Sequence, residues 1–387
     1  MTSLDCKADR LRALPPYLFA AVDRKKEEAL ARGVDLIDLG VGDPDIPTPQ
    51  AVLDALAQTA KDPANHRYPS YSGLGPFKEA VARWYDRRFG VRLDPKNEVL
   101  SLIGSKEGIA HFPLAVLNPG DLALVPDPGY PVYHSGTIFA GGTSYFMPLR
   151  EEKGFLPDLD AIPPDIARRA KILFLNYPNN PTGAVAPLTY YEKVVAFAKR
   201  HGIWVASDAA YSEMYFEGKP NSFLEVPGAK DLAIEFHSCS KSYSMTGWRV
   251  GFAVGNASLL EALGDFKKNC DSGIFQAVQY AAIAALDLEP GVAERNAEYK
   301  IRRDLLVAAL RKAGWPARPQ PASFYLFTRY PWKCSSAEAA EKILAETGIV
   351  ATPGLGFGAC GEGYVRFACT APTDRIREAA HRLERLR

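Results

Sequence analysis

Cysteine is sparse in this chain and shows no pairing pattern. Cys6, Cys239, Cys270, Cys334, Cys360 and Cys369 are scattered, with no CxxC pair among them. That spacing excludes a zinc ribbon or dithiol motif, predicts reduced thiols in a cytoplasmic protein, and gives no reason to expect a metal. An excess of either charge is also missing. The formal net charge is +1, with both signs interspersed, so there is no basic stripe for nucleic acid. No apolar run approaches the ~18 residues that span a bilayer, so no membrane partner is expected. The opening Met1-Thr2-Ser3-Leu4-Asp5-Cys6-Lys7 has no apolar stretch of the kind secretory signals carry. Internal repeats and low-complexity segments are absent as well. What remains is a chain of 387 residues, 47% hydrophobic, long enough for a large buried core in two domains.

Residues 16–33 read as an amphipathic helix stopping at Gly33, followed by a short strand over 36–40 and a turn-rich loop, Gly42-Asp43-Pro44-Asp45. From about 75 to 255 helical stretches alternate with short apolar runs. Leu122–Val125, Ile172–Leu175, Ile203–Ala206 and Val250–Val254 are examples. That alternation predicts an α/β domain with a mostly parallel sheet flanked by helices. After about 290 the pattern changes to a long charged helix (293–313), a strand (323–327), a helix (337–346), a strand (364–367) and a final helix. This predicts a smaller α+β domain, with the N-terminal segment packed on it. The expected division is 47–288 for the large domain and 1–46 plus 289–387 for the small one.

The stretch from Ser238 to Gly251 carries the strongest chemical signal. It sets Lys241 among small hydroxyl residues, with Arg249 eight positions later. A lysine amine can form a Schiff base with an aldehyde, and serines with an arginine can hold a phosphate. Pyridoxal phosphate carries both groups. A lone lysine in a Ser-rich loop would be an ordinary solvated loop, but other pieces agree. Asp208 directly follows an apolar run, where a carboxylate can keep a pyridine nitrogen protonated. Tyr211, three residues on, can reach the cofactor's phenolic oxygen, as can Asn180 in Asn179-Asn180-Pro181-Thr182-Gly183. Gly104-Ser105-Lys106 opens a helix, whose first N–H groups form an anion site to which Ser105 adds a hydroxyl. Tyr130, in a turn after a strand, can stack on a flat ring. Arg366, in a strand, can hold a substrate carboxylate through two parallel hydrogen bonds. Each alone has a plain structural reading as a cap, a turn or a surface residue. Open parallel sheets, however, bind ligands outside the carboxyl ends of their strands, and that is where most of these residues fall.

Together the motifs resemble the class I/II aminotransferases of fold type I, over roughly residues 12–385. The resemblance implies Lys241 as Schiff-base lysine and proton-transfer base, and Asp208 on the pyridine nitrogen. It puts Asn180 and Tyr211 on the phenolic oxygen and Tyr130 on the ring. Ser105, Lys106 through its backbone, Ser238 and Arg249 would hold the phosphate, and Arg366 the substrate α-carboxylate. It further implies a homodimer in which Tyr68 reaches the neighbouring subunit's phosphate, with small amino acids and 2-oxo acids as partners. Within the family, Leu14–Phe19, Leu39–Asp45, Ile103–His111 and Asp271–Ala277 resemble the LL-diaminopimelate aminotransferases. Cysteines at 239, 270 and 369 replace that subgroup's usual residues and leave the catalytic roles intact. A distal amino acid centre on the substrate would need contacts, for which Tyr17, the backbone at Gly42 and the Lys106 side chain are candidates. Alanine and aspartate aminotransferases share much of the pattern. A PLP-dependent β-lyase, or a non-catalytic sensor on the same fold, would use the lysine block too.

Overall fold

The structure is a computed structural model. It describes residues 6–15, 18–288 and 290–386, with 18–21, 23, 290 and 291 described by backbone alone. After a short strand β1 (Ile37–Asp38), chain order gives β2 (Val99–Leu102), β3 (Leu122–Asp127), β4 (Thr143–Pro148) and β5 (Ala170–Asn176). Then come β6 (Trp204–Asp208), β7 (Ala233–Ser238) and β8 (Gly251–Gly255). Strands β2 to β8 form one sheet in the order β2-β8-β7-β6-β5-β3-β4. Neighbours from β4 to β7 run parallel, and β8 is antiparallel to both β7 and β2. Two reversals restore the direction of β2. The carboxyl ends of β2, β3, β5, β6 and β7 therefore share one edge with the amino end of β8.

The strands read as unbroken apolar runs because the sheet is covered on both faces. Alternation still sorts their residues. Leu124, Leu173, Leu175 and Val205 join one core cluster, whereas Val125, Ile172, Phe174 and Ala206 join the cluster on the opposite face. The helix Leu188–His201 shows how the sequence feeds a strand into this sheet. It buries Tyr191, Val194, Val195 and Ala198, the i, i+3, i+4, i+7 stripe of a one-sided helix. Each of the two valines contributes roughly 1.5–3 kcal/mol on burial. Lys199, Arg200 and His201 in its last turn complement the helix dipole. Gly202, at φ 66°, ends it with its N–H on the Ala198 carbonyl, in the left-handed conformation that glycine adopts without strain. β6 then starts two residues later.

A separate apolar core gathers Ile37 and Leu39 with Leu306, Leu310, Phe324, Leu326, Ile343, Val365, Phe367 and Ile376. Here β9 (Tyr325–Arg329), β10 (Ile349–Val350), β11 (Thr352–Pro353) and β12 (Tyr364–Ala368) contribute to two small sheets. β12 lies antiparallel between β11 and β9, and β1 pairs in parallel with β10. Helices Pro290–Lys312, Ser336–Thr347 and Thr373–Leu383 cover these strands. Several boundaries differ from the sequence expectation by a few residues, and two of the shifts have a visible cause. The long helix starts at Pro290 rather than 293, since proline's fixed φ suits a first turn. The strand expected from 323 begins at Tyr325, because Ser323 sits at φ 65° and its N–H bonds the Met214 carbonyl. No helix among the described residues is long and apolar enough to cross a membrane.

Candidate active site

Asp208 is the last residue of β6, and its Cα partners across the sheet are Asn176 and Phe236. Its carboxylate is buried. One oxygen accepts a 2.7 Å hydrogen bond from the Tyr133 hydroxyl, and the other a 3.2 Å bond from the Ala210 N–H. No cation pairs with it among the described residues. Burial therefore dominates and pushes its pKa up to about 6, against the pull of the Tyr133 bond. A buried carboxylate with two neutral donors and no cation matches a ligand that brings its own positive nitrogen.

Lys241 lies in the short helix Cys239–Ser242 just after β7. Its Nζ donates a 2.7 Å bond to the Gly42 carbonyl and stands 5.9 Å above the Phe324 ring. Burial lowers its pKa, opposed by Tyr325 and Asp43 and reinforced by Arg366 and Arg249. A lysine held in this way has a larger neutral, nucleophilic fraction at neutral pH. The Gly42 loop is fixed by the second sheet. The Ala368 N–H bonds Leu39, Thr352 Oγ1 bonds the Gly40 carbonyl, and Thr370 Oγ1 bonds the Val41 carbonyl.

Three backbone segments converge beside this lysine. The twelve-residue helix Ser105–Val116 begins at Gly104, which has φ 73°, and its first N–H groups have no acceptor within the helix. The Glu107 carboxylate braces this start by accepting from the Ile103 N–H at 3.0 Å and from Lys267 Nζ at 3.1 Å. Arg249, itself at φ 56°, folds its guanidinium across Gly104, where an added Cβ would lie 2.3 Å from Nη2. Ser238 Oγ accepts from the Ser240 N–H at 3.2 Å, which leaves its O–H free to donate. Donors from helix start, hydroxyl and guanidinium around bare glycine backbone could hold a phosphate. Gly251 keeps the segments together, since its Cβ would meet the His237 carbonyl at 2.5 Å and the Ser105 nitrogen at 3.0 Å. Gly251→Ala must push two backbones apart. We expect it to cost roughly 1–3 kcal/mol of stability and to weaken phosphate-dependent cofactor binding. Urea unfolding and cofactor titration both matching the wild type would refute this close packing.

Arg366 on β12 is only 1% exposed, unlike the surface residue that a lone strand arginine usually is. Nη1 donates to Asn180 Oδ1 at 2.8 Å and Nη2 to the Gly40 carbonyl at 2.7 Å. The guanidinium lies between the Tyr325 ring, at 4.1 Å, and the Phe357 ring, at 4.6 Å. Its Nε has no partner, and no carboxylate neutralises it among the described residues. Leaving such a group unmatched is costly, so a carboxylate ligand fits here. The Tyr211 hydroxyl is 3.1 Å from that of Tyr325.

Lys241, Asp208, Tyr211, Asn180, Arg366 and Gly42 are thus linked by direct contacts or by sheet register, with Ser105, Ser238 and Arg249 at the same sheet edge. Tyr130 is half-buried, its ring edge-on to Tyr133 at 5.9 Å. Lys106 is exposed at the start of its helix. Tyr68 is 88% exposed and stands apart from the group. Tyr17 lies outside the described residues. Sequence reasoning did not single out Tyr133, Asn176 or Tyr325. Asn176 accepts from the Asn180 N–H at 2.8 Å and donates to the Asp208 carbonyl at 2.9 Å, tying two site loops together. Its position as the last residue of an apolar run was the available signal. Tyr133 lies three residues after Tyr130 in a helix, and Tyr325 sits in an aromatic strand, so neither is marked locally.

An amine with lowered pKa, a buried carboxylate lacking a cation, a phosphate cradle and a buried arginine lacking a carboxylate together fit pyridoxal phosphate and an amino acid. They define a PLP-dependent transferase. The aminotransferase class I and II family model matches residues 34–383, and the chain belongs to that family. It is 59% identical, over 98% of both chains, to the LL-diaminopimelate aminotransferase of Syntrophobacter fumaroxidans. Among solved structures, substrate-bound BacF from Bacillus subtilis superposes with a TM-score of 0.95 at 37% identity, covering 99% of this chain and 98% of its own. A probable N-succinyldiaminopimelate aminotransferase from Thermus thermophilus does so with a TM-score of 0.91 at 39% identity, covering 96% of this chain and 100% of its own. The fold is that of the fold type I PLP-dependent aminotransferases, and the protein is an aminotransferase using pyridoxal phosphate.

Proposed function

We propose that the chain transfers the amino group of LL-diaminopimelate to 2-oxoglutarate, giving tetrahydrodipicolinate and glutamate in lysine biosynthesis. The name borne by the relative that matches 98% of both chains carries this substrate reading. When bound, pyridoxal phosphate supplies an aldehyde for the amine and a ring that spreads the charge left at the α-carbon. The residues have these roles. Lys241 would hold the cofactor through its Nζ and, once released, would accept and return the substrate's α-proton on that nitrogen. Asp208 keeps the ring nitrogen protonated, with Tyr133 orienting its carboxylate. Asn180 and Tyr211 bond the phenolic oxygen, and Tyr130 stacks on the ring. Ser105, the Lys106 backbone, Ser238 and Arg249 hold the phosphate. Arg366 fixes the α-carboxylate, with Asn180 beside it. Tyr17, the Gly42 backbone and the Lys106 side chain meet the distal amino acid centre.

The same reading makes the enzyme a cytoplasmic homodimer. Tyr68, 88% exposed in the single chain, reaches the phosphate of the neighbouring subunit. Residues 47–288 form the PLP-binding domain, and 1–46 with 289–387 the small domain. The separate apolar core around β9 and β12 and the pairing of β1 with β10 support that division.

The test is a half-reaction screen. LL-diaminopimelate, glutamate, alanine and aspartate are added separately to the cofactor-loaded protein, and conversion of its absorbance is followed. A site built for the distal charges disfavours amino acids that leave them unpaired, by roughly 10²-fold or more. Fast conversion by diaminopimelate and glutamate, with little by alanine or aspartate, is expected. Fast conversion by alanine or aspartate and none by diaminopimelate would move the enzyme to general amino-acid metabolism.

A further inference from the structure

Tyr325 touches more of the site than any role assigned so far explains. It is 4% exposed. Its hydroxyl lies 3.1 Å from that of Tyr211, and its ring lies 4.1 Å below the Arg366 guanidinium. The same hydroxyl packs on Gly42 so closely that a Cβ there would fall 2.0 Å from it, and the Gly42 carbonyl is the acceptor for Lys241. One side chain therefore adjoins the lysine's anchor, the phenolic-oxygen donor and the carboxylate receptor.

We propose that Tyr325 is a positioning residue with two separable functions: its hydroxyl donates to the Tyr211 oxygen and strengthens Tyr211 as a donor, and its ring holds the plane of Arg366. This rests on the reading that these residues surround pyridoxal phosphate. Burial, and next the neighbouring Tyr325, raise the Tyr211 pKa far above its ordinary value, so the Tyr211 hydroxyl keeps its proton and, 3.1 Å from the Tyr325 hydroxyl, can form the second link of a directed chain. A hydroxyl that accepts one hydrogen bond donates the next more strongly. The cofactor's phenolic oxygen at the end of the chain is thereby stabilised in its deprotonated form. Other groups act on Tyr211 as well. Arg366 on β12 favours an ionised hydroxyl, and Asp208 on β6 opposes it. Tyr130 also faces Arg366, and Lys241 faces Tyr325. Tyr325→Phe leaves all of these in place.

The experiment is a pH titration of the bound cofactor's absorbance in the loaded enzyme, with steady-state kinetics alongside. In Tyr325→Phe the hydroxyl is lost and the ring kept. The titration midpoint should rise by roughly 0.5–1 pH unit, a threefold to tenfold change in proton affinity, with KM for the amino donor within about twofold of wild type. Tyr325→Leu removes the ring too, and KM should rise roughly fivefold to thirtyfold. In a Tyr211→Phe background the Tyr325→Phe change should no longer move the midpoint, since its route is gone. An unmoved midpoint in Tyr325→Phe would overturn the proposal, as would an equal shift with and without Tyr211. A wild-type protein with no Lys241-dependent absorbance to titrate would instead overturn the cofactor reading, and this proposal with it.

Discussion

Lys241→Ala is expected to reduce turnover by on the order of 10⁴-fold or more, and to abolish the absorbance that depends on the lysine–cofactor bond. The size follows from losing two functions together. A positioned base contributes roughly 10²–10⁴-fold, and an amine that forms and breaks the covalent link contributes separately. Among the described residues no other lysine is placed to substitute. Lys106 is exposed on its helix, and Lys267 is held by Glu107 and Asp271 at 3.1 Å. The fold should survive, because among the described residues Lys241 Nζ offers the core one hydrogen bond, to the Gly42 carbonyl. Removing a buried amine whose charged form is penalised by burial also relieves a cost. Single-turnover kinetics and a melting curve on the same preparation separate the two effects. An unchanged melting temperature with turnover within tenfold of wild type would sink Lys241 as the catalytic base.

How far the site could be read in advance depended on where its partners lie in the chain. Lys241 with Arg249 announced itself, because two of the three segments around Gly104 and Ser105 come from a single run between Ser238 and Gly251. Asp208, Asn180 and Ser105 were legible for a related reason. A parallel sheet delivers every strand end to one edge, so a polar residue just after an apolar run is placed there by topology alone. Tyr325 and Tyr133 had no such marker. Tyr325 meets Tyr211 from 114 residues away, and Tyr133 meets Asp208 from 75. Both are aromatic residues in segments where aromatics ordinarily fill the core. The fold was legible in the same uneven way. Period-2 and period-3.6 patterns located the elements, but Ser323 at φ 65° delays to Tyr325 a strand that the pattern alone would have started at 323. Tyr68 marks a further limit, because the role proposed for it lies in a second subunit, and its 88% exposure in the single chain carries no mark of that role.

Asp208→Asn is expected to move stability and activity in opposite directions. The side chain keeps its shape. Its oxygen can still accept from the Ala210 N–H, and its amide can donate to the Tyr133 oxygen once that hydroxyl turns. What disappears is a charge that no cation among the described residues neutralises. The folded pKa, raised from 3.8 to about 6, fixes the sign. The fold favours the protonated acid, so that contribution is fully present below the unfolded value near 4 and is lost as pH rises through about 6. Above about pH 7 the ionised carboxylate then costs up to about 3 kcal/mol, since each pH unit separating the folded and unfolded values is worth about 1.4 kcal/mol. The cofactor-free variant should therefore be more stable than wild type by roughly 1–3 kcal/mol at pH 8, with the advantage shrinking as pH falls through 6. With pyridoxal phosphate bound the order should reverse, because the protonated ring nitrogen is the cation that Asp208 lacks. Wild type should gain more stability from the cofactor than the variant does, and the variant should turn over on the order of 10²–10⁴-fold more slowly. Melting curves with and without cofactor between pH 5 and 8, set beside turnover, test each part. A cofactor-free variant no more stable than wild type at pH 8 would show that Asp208 is not held at a cost. Wild-type turnover would remove it as the ring's partner.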